Sequence, residues 1–134
     1  MIFKMTPSTL GSFVSACLVV VGATTAWAHH SFEAEYDSNK LIAITGVVTK
    51  LDWINPHAYV FIEMKDDGGM VHNYKVEMGP PYALVRGGWK RDTIKIGDKV
   101  TVTGAALAKD GSDAAGSLPS TSMTLSTGQK MVMR

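Results

Sequence analysis

Cysteine is all but missing from this chain: of 134 residues only Cys17 is one. It stands inside an apolar run near the start, so everything after that run is without a disulfide or a reactive thiolate. A membrane-spanning stretch is missing too. The run from Leu10 to Ala23 is interrupted by Gly11, Ser12 and Ser15 and falls short of the ~20 residues a helix needs to cross a bilayer. An excess of one charge is also absent. Lys4 is the only charged residue among the first 28, and the other 106 set twelve Lys and Arg against twelve Asp and Glu, with the signs interspersed. A balanced chain of this kind has no electrostatic footprint for nucleic acid or for acidic lipid. Nor is there a G-x-S-x-G elbow or a phosphate-cradling glycine loop, so no familiar hydrolytic or nucleotide centre can be read, and nothing selects an enzymatic reaction.

What is present begins with Lys4, the short apolar run and then Thr24-Thr25-Ala26-Trp27-Ala28. This is the pattern of a secretory signal with an A-x-A cleavage site. Residues 1–28 are therefore expected to be removed, which gives a periplasmic or secreted product with no stable membrane insertion. Lipid attachment at Cys17 fits poorly, because Leu18 to Val21 would follow the modified thiol instead of preceding it. The remaining length suits one small domain over 29–134.

Along that domain the apolar periodicity is that of strands. His30, Phe32, Ala34 and Tyr36 alternate with Ser31, Glu33, Glu35 and Asp37, which predicts an extended N-terminal arm over 29–40. Leu41 to Trp53 reads as a long first strand whose alternation slips, and Gly46 at the slip suggests a bulge or bend. Ala58 to Lys65 and Met70 to Met78 flank Asp66-Asp67-Gly68-Gly69 as a hairpin. Gly79-Pro80-Pro81 stops the sheet, Tyr82 to Arg86 is a short helix ended by Gly87-Gly88, and Trp89 is expected to plug an apolar space. A strand through Val100 and Val102, a loop over 109–113, a last strand at Ser122 to Ser126 and a short tail at Met131 to Met133 complete the order. Three meandering strands, a short helix and two more strands predict a mainly β fold, a five-stranded OB-like barrel (oligonucleotide/oligosaccharide-binding) with one helix between strands 3 and 4. An open α+β sheet is the alternative.

The Ala28-His29-His30-Ser31-Phe32 start, the Trp53-x-Asn55-Pro56-His57 turn, Gly87-Gly88-Trp89 and the Gly97 to Gly104 segment together resemble a bacterial family of small exported domains of unknown function. The resemblance implies a periplasmic location and one small β-rich domain, with no assigned activity. In that family the chain usually runs straight into a strand where Gly116-Ser117-Leu118-Pro119-Ser120 stands here, which makes the closing edge of the barrel the least typical part.

Two places could carry chemistry. Cleavage after Ala28 would make His29 the new terminus, whose α-amine and imidazole can chelate one ion, and a further imidazole would complete a nitrogen set suited to Cu(II). His57 is the first candidate for that third nitrogen, because Pro56 restricts its approach. His72 and His30 stand behind it. The competing readings are a solvated His29-His30 end, a His57 that serves the turn and a hydrogen-bonded His72 at the core's edge. The scattered methionines read as core filling. The second place is an outward face on which Trp53, Asn55, Tyr59 and Phe61 could stack against a ligand, unless the N-terminal arm covers the rings through Phe32 and Tyr36. These features point to a binding or accessory module for a small molecule, a glycan or an envelope protein, with a copper-binding protein as the alternative.

Overall fold

Gly46 is where the first strand changes partners. In the computed structural model, which describes residues 31–134, β1 (Tyr36–Asp52) pairs antiparallel with β4 (Lys99–Ala108) from Tyr36 to Val47 and with β2 (Tyr59–Lys65) from Val47 to Asp52. At the handover β2 lies so close that a Cβ on Gly46 would overlap the Glu63 carbonyl oxygen, so only glycine lets one strand serve both neighbours. The slip in alternation does not sit there, however. Ile44 and Val48 are both fully buried and Val47 is exposed, and the register shift against β2 falls between Val48 and Lys50. One extra residue at Thr49 then turns Leu51 and Trp53 toward the core, against which both pack.

The hairpin follows as expected. β2 and β3 (Val71–Glu77) are in register from Tyr59↔Glu77 to Lys65↔Val71, and the Asp66 side chain caps the turn by accepting from the Met70 N–H at 2.9 Å. Val60, Ile62, Tyr74 and Val76 face the core. The helix α1 (Pro81–Arg86) starts on two prolines, whose fixed φ suits a first turn, and ends at Gly88 with φ +97. That turn delivers Trp89 into the core, where its indole donates to the Val132 carbonyl at 2.7 Å. Val100 and Val102 of β4 point inward, as the alternation requires.

The closing strand differs from its expected place. Ala114 to Thr124 is one strand, β5, and Gly116 to Ser120 lies within it instead of forming a loop. Small polar residues look loop-like in sequence, but here they satisfy backbone groups inside the fold. Ser117 Oγ donates to the Glu77 carbonyl at 2.6 Å, and Thr121 Oγ1 donates to the Gly104 carbonyl at 2.7 Å while accepting from the Leu118 N–H. The expected tail contains a sixth strand, β6 (Lys130–Val132), paired with β5. Met78, Met123, Met131 and Met133 are core residues, which accounts for them as packing.

The described residues are thus mainly β, with six strands in the order β3-β2-β1-β4-β5-β6. A further parallel pairing of β3 with β5, at Lys75↔Ala114, Val76↔Ala115 and Glu77↔Gly116, completes a ring of pairings β1-β2-β3-β5-β4-β1. The chain divides into two units, 1–34 and 35–134, and the sheet belongs to the second. Of the first unit, residues 31–34 are described, and the helical segment they form runs to Glu35 in place of the expected extended arm. Five residues of alternation are too few to exclude a helix, and Ala34 with Glu33 and Glu35 favours one.

Candidate functional site

The Trp53 to His57 turn joins β1 to β2, and the strand pairings bring it against the far end of β3. Trp53 continues the inward side of β1 after the Thr49 bulge and is partly buried, while Ile54, Asn55 and Pro56 are exposed. Backbone bonds from Ala58 N–H to the Gly79 carbonyl and from Met78 N–H to the Ala58 carbonyl prolong the hairpin ladder, which fixes His57 beside the last residue of β3. That residue is Glu77, a carboxylate only 8% exposed.

Glu77 holds two partners. Its Oε1 lies 3.0 Å from His57 Nδ1, and its Oε2 accepts a hydrogen bond from the Tyr36 hydroxyl at 3.0 Å. Tyr36 is itself buried at the start of β1, so the carboxylate is gripped on one side by the core and grips the imidazole on the other. Burial raises the Tyr36 phenol well above its ordinary pKa, and the Glu77 charge and hydrogen bond add to the effect. The phenol therefore stays protonated as a donor. A carboxylate 3.0 Å from Nδ1 favours the tautomer with its N–H on that nitrogen, which leaves the lone pair of neutral His57 on Nε2. The side chain is 34% exposed, and among the described residues Nε2 has no partner. A half-exposed imidazole with one nitrogen anchored and the other unused can accept a proton, accept a hydrogen bond or ligate a metal.

The other ligand-face residues lie next to this corner. Tyr59 and Phe61 share the outer side of β2, and each is topped by a lysine: Lys75 Nζ stands 4.3 Å from the Tyr59 ring centroid and Lys50 Nζ 4.9 Å from that of Phe61. The Tyr59 phenol is shifted up by burial and then by the charges of Glu77 and Glu35. Lysine side chains, then, cover the rings. Tyr36, one of the two arm residues expected to lie over the rings, is in β1 with its hydroxyl on Glu77.

His72 is placed elsewhere. It sits at the opposite end of β3, five residues from Glu77, or roughly 16 Å at the rise of a strand. Its Nε2 is 2.9 Å from Asp66 and its Nδ1 3.1 Å from Asp113, so both nitrogens are committed and neither faces His57. The structure does not bring His57 and His72 together. His29 and His30 lie outside the described residues, and among those residues no group of three or more potential ligands is arranged to hold a metal ion. Glu77 was missed by sequence reading because it alternates with Val76 and Met78 as an ordinary outward strand residue. The one available signal was its place directly before the Gly79-Pro80 stop, where the hairpin brings it level with the His57 turn.

A family model described as a family of unknown function (DUF6152) matches residues 16–117. No curated protein and no solved structure matches the chain.

Proposed function

Because the chain belongs to this family of unknown function, whose description assigns no activity, we propose from the geometry that it is an exported binding module taking its ligand at the His57 corner. The ring of pairings with a parallel β3–β5 seam and a helix between β3 and β4 supports reading the domain as an OB-like barrel. Barrels of that class bind across strands 2 and 3, flanked by the loops between strands 1 and 2 and between strands 4 and 5. In this chain the first of those loops is the Trp53 to His57 turn. One observation carries the proposal: a nearly buried carboxylate is committed to orienting a half-exposed imidazole. Burying a charge is costly, and turn stability alone does not call for it.

The ligand is a small molecule, a glycan or a segment of an envelope protein that offers a hydrogen-bond donor to His57 Nε2 and apolar surface to Trp53 and Tyr59. Adding panels of sugars and small polar fragments to the 15N-labelled protein should produce amide shifts concentrated at Trp53, His57 and Tyr59. Shifts confined to other strands, or hits that survive His57→Ala unchanged, would remove the proposal. Export is checked separately: protein from a periplasmic extract should have the mass of a chain beginning at His29.

A second reading is favoured by the same carboxylate. Metal-bound histidines commonly direct their other ring nitrogen at a carboxylate, and His57 Nδ1 lies 3.0 Å from Glu77 Oε1. In this reading His57 Nε2 joins the amine and imidazole of a processed His29 to hold Cu(II). Titration with Cu(II) of protein starting at His29, of protein with one extra residue before it, and of His57→Ala decides the matter. Equal affinity in all three ends it.

A further inference from the structure

The ring of strand pairings closes through its weakest seam. β3 and β5 share three residue pairs, and parallel pairing is slightly less stable per residue than antiparallel. The seam begins at Asp113, whose carbonyl accepts the Lys75 N–H at 2.9 Å immediately before Lys75↔Ala114. At the same point His72 of β3 reaches across with Nδ1 3.1 Å from Asp113 Oδ2 and 3.2 Å from Oδ1. Its other nitrogen lies 2.9 Å from Oδ2 of Asp66, in the turn between β2 and β3. A neutral imidazole has one N–H and can donate to only one of two carboxylates; the imidazolium donates to both. We infer that His72 is a proton-operated clamp on the β3–β5 seam, closed when the ring is charged and joining the β2–β3 turn to the loop before β5.

The groups facing the ring are Asp66 from the turn, Asp113 from the loop before β5 and Tyr74 from β3 itself, whose ring centroid is 6.0 Å away. The two carboxylates hold His72 above its ordinary pKa, Asp66 contributing most and Asp113 next, while the His72 hydrogen bond is the main reason Asp66 is held below the usual carboxylate range. A histidine whose folded pKa is raised contributes stability that is complete below its ordinary value and is lost as pH climbs through the raised one. A carboxylate whose folded pKa is lowered contributes stability that is lost as pH falls through that lowered value. The clamp is therefore closed in mildly acidic solution and opens on the alkaline side. Solvent reaches all three side chains, so the effect is local and modest. It does not depend on what the His57 corner binds.

The test is amide exchange on the purified 15N-labelled protein, expressed as protection factors so that the intrinsic pH dependence of exchange is removed. Protection of the Lys75 amide and of residues 114–116 should fall roughly two- to five-fold between about pH 6 and about pH 9, while Ile44 and Val102 on the β1–β4 side keep theirs. In Asp113→Asn the seam should be weakened at the lower pH and lose most of this pH dependence, and the His72 ring resonances should titrate at a lower midpoint than in the parent. Asp66→Asn gives a second, independent variant with the same expected drop in midpoint. Seam protection that does not change with pH, a loss shared equally by the whole ring, or a parent His72 midpoint at or below the ordinary histidine value would overturn the inference.

Discussion

At each end of β3 a histidine meets carboxylate, and the two ends do different things. At the Glu77 end one buried carboxylate takes one nitrogen of His57 and leaves the other unused. At the His72 end two exposed carboxylates take both nitrogens. The difference lies in stoichiometry and burial. One carboxylate per imidazole, backed by the Tyr36 hydroxyl, produces an oriented and available base; two produce a bridge between segments. Burial ties the first arrangement to the core, whereas the second is set in solvent, where ion pairs contribute little.

Four measurements would break or sharpen that contrast. Trp53→Ala should cause the largest loss, roughly 3 kcal/mol by denaturant unfolding, toward the lower end for a tryptophan truncation because the ring is only partly buried. A loss below about 1 kcal/mol would mean that the His57 corner is not anchored to the core. Glu77→Gln should cost about 1–2 kcal/mol, since the amide has only one oxygen to offer where the carboxylate presents one to Tyr36 and one to His57. It should also allow the other tautomer, so the nitrogen chemical shifts of His57 should change. Asp113→Asn should cost less than Glu77→Gln, and only below the raised His72 pKa, because the histidine's contribution is already lost above it. His57→Ala should remove ligand-induced shifts at the corner, at a stability cost no larger than that of Glu77→Gln. If Asp113→Asn proved more damaging than Glu77→Gln, the ranking of the two ends would be reversed.

Much of the fold was legible because its signals are local. The hairpin shows in two alternating runs around Asp66 to Gly69, the helix in prolines followed by paired glycines, and the inward faces of β2, β3 and β4 in period-two patterns. Where the reading failed, local pattern was ambiguous. Five residues at 31–35 satisfied an extended reading and are helical, and Gly116 to Ser120 had a loop's composition and lies in β5. The slip expected at Gly46 falls at Thr49 instead: the glycine permits the close approach of β2, and the extra residue comes three positions later. At the site, His57 and its turn stood out, and Glu77 did not.

By itself the sequence determined where strands, turns and the short helix form, because backbone preference and alternating burial act over a few neighbouring residues. Only the tertiary structure decided that Tyr36, His57 and Glu77 meet at one corner and that His72 is matched with Asp113 across the β3–β5 seam. Those meetings depend on strand register and on closure between segments distant in the chain, and a one-residue shift in either would send each side chain to the opposite face.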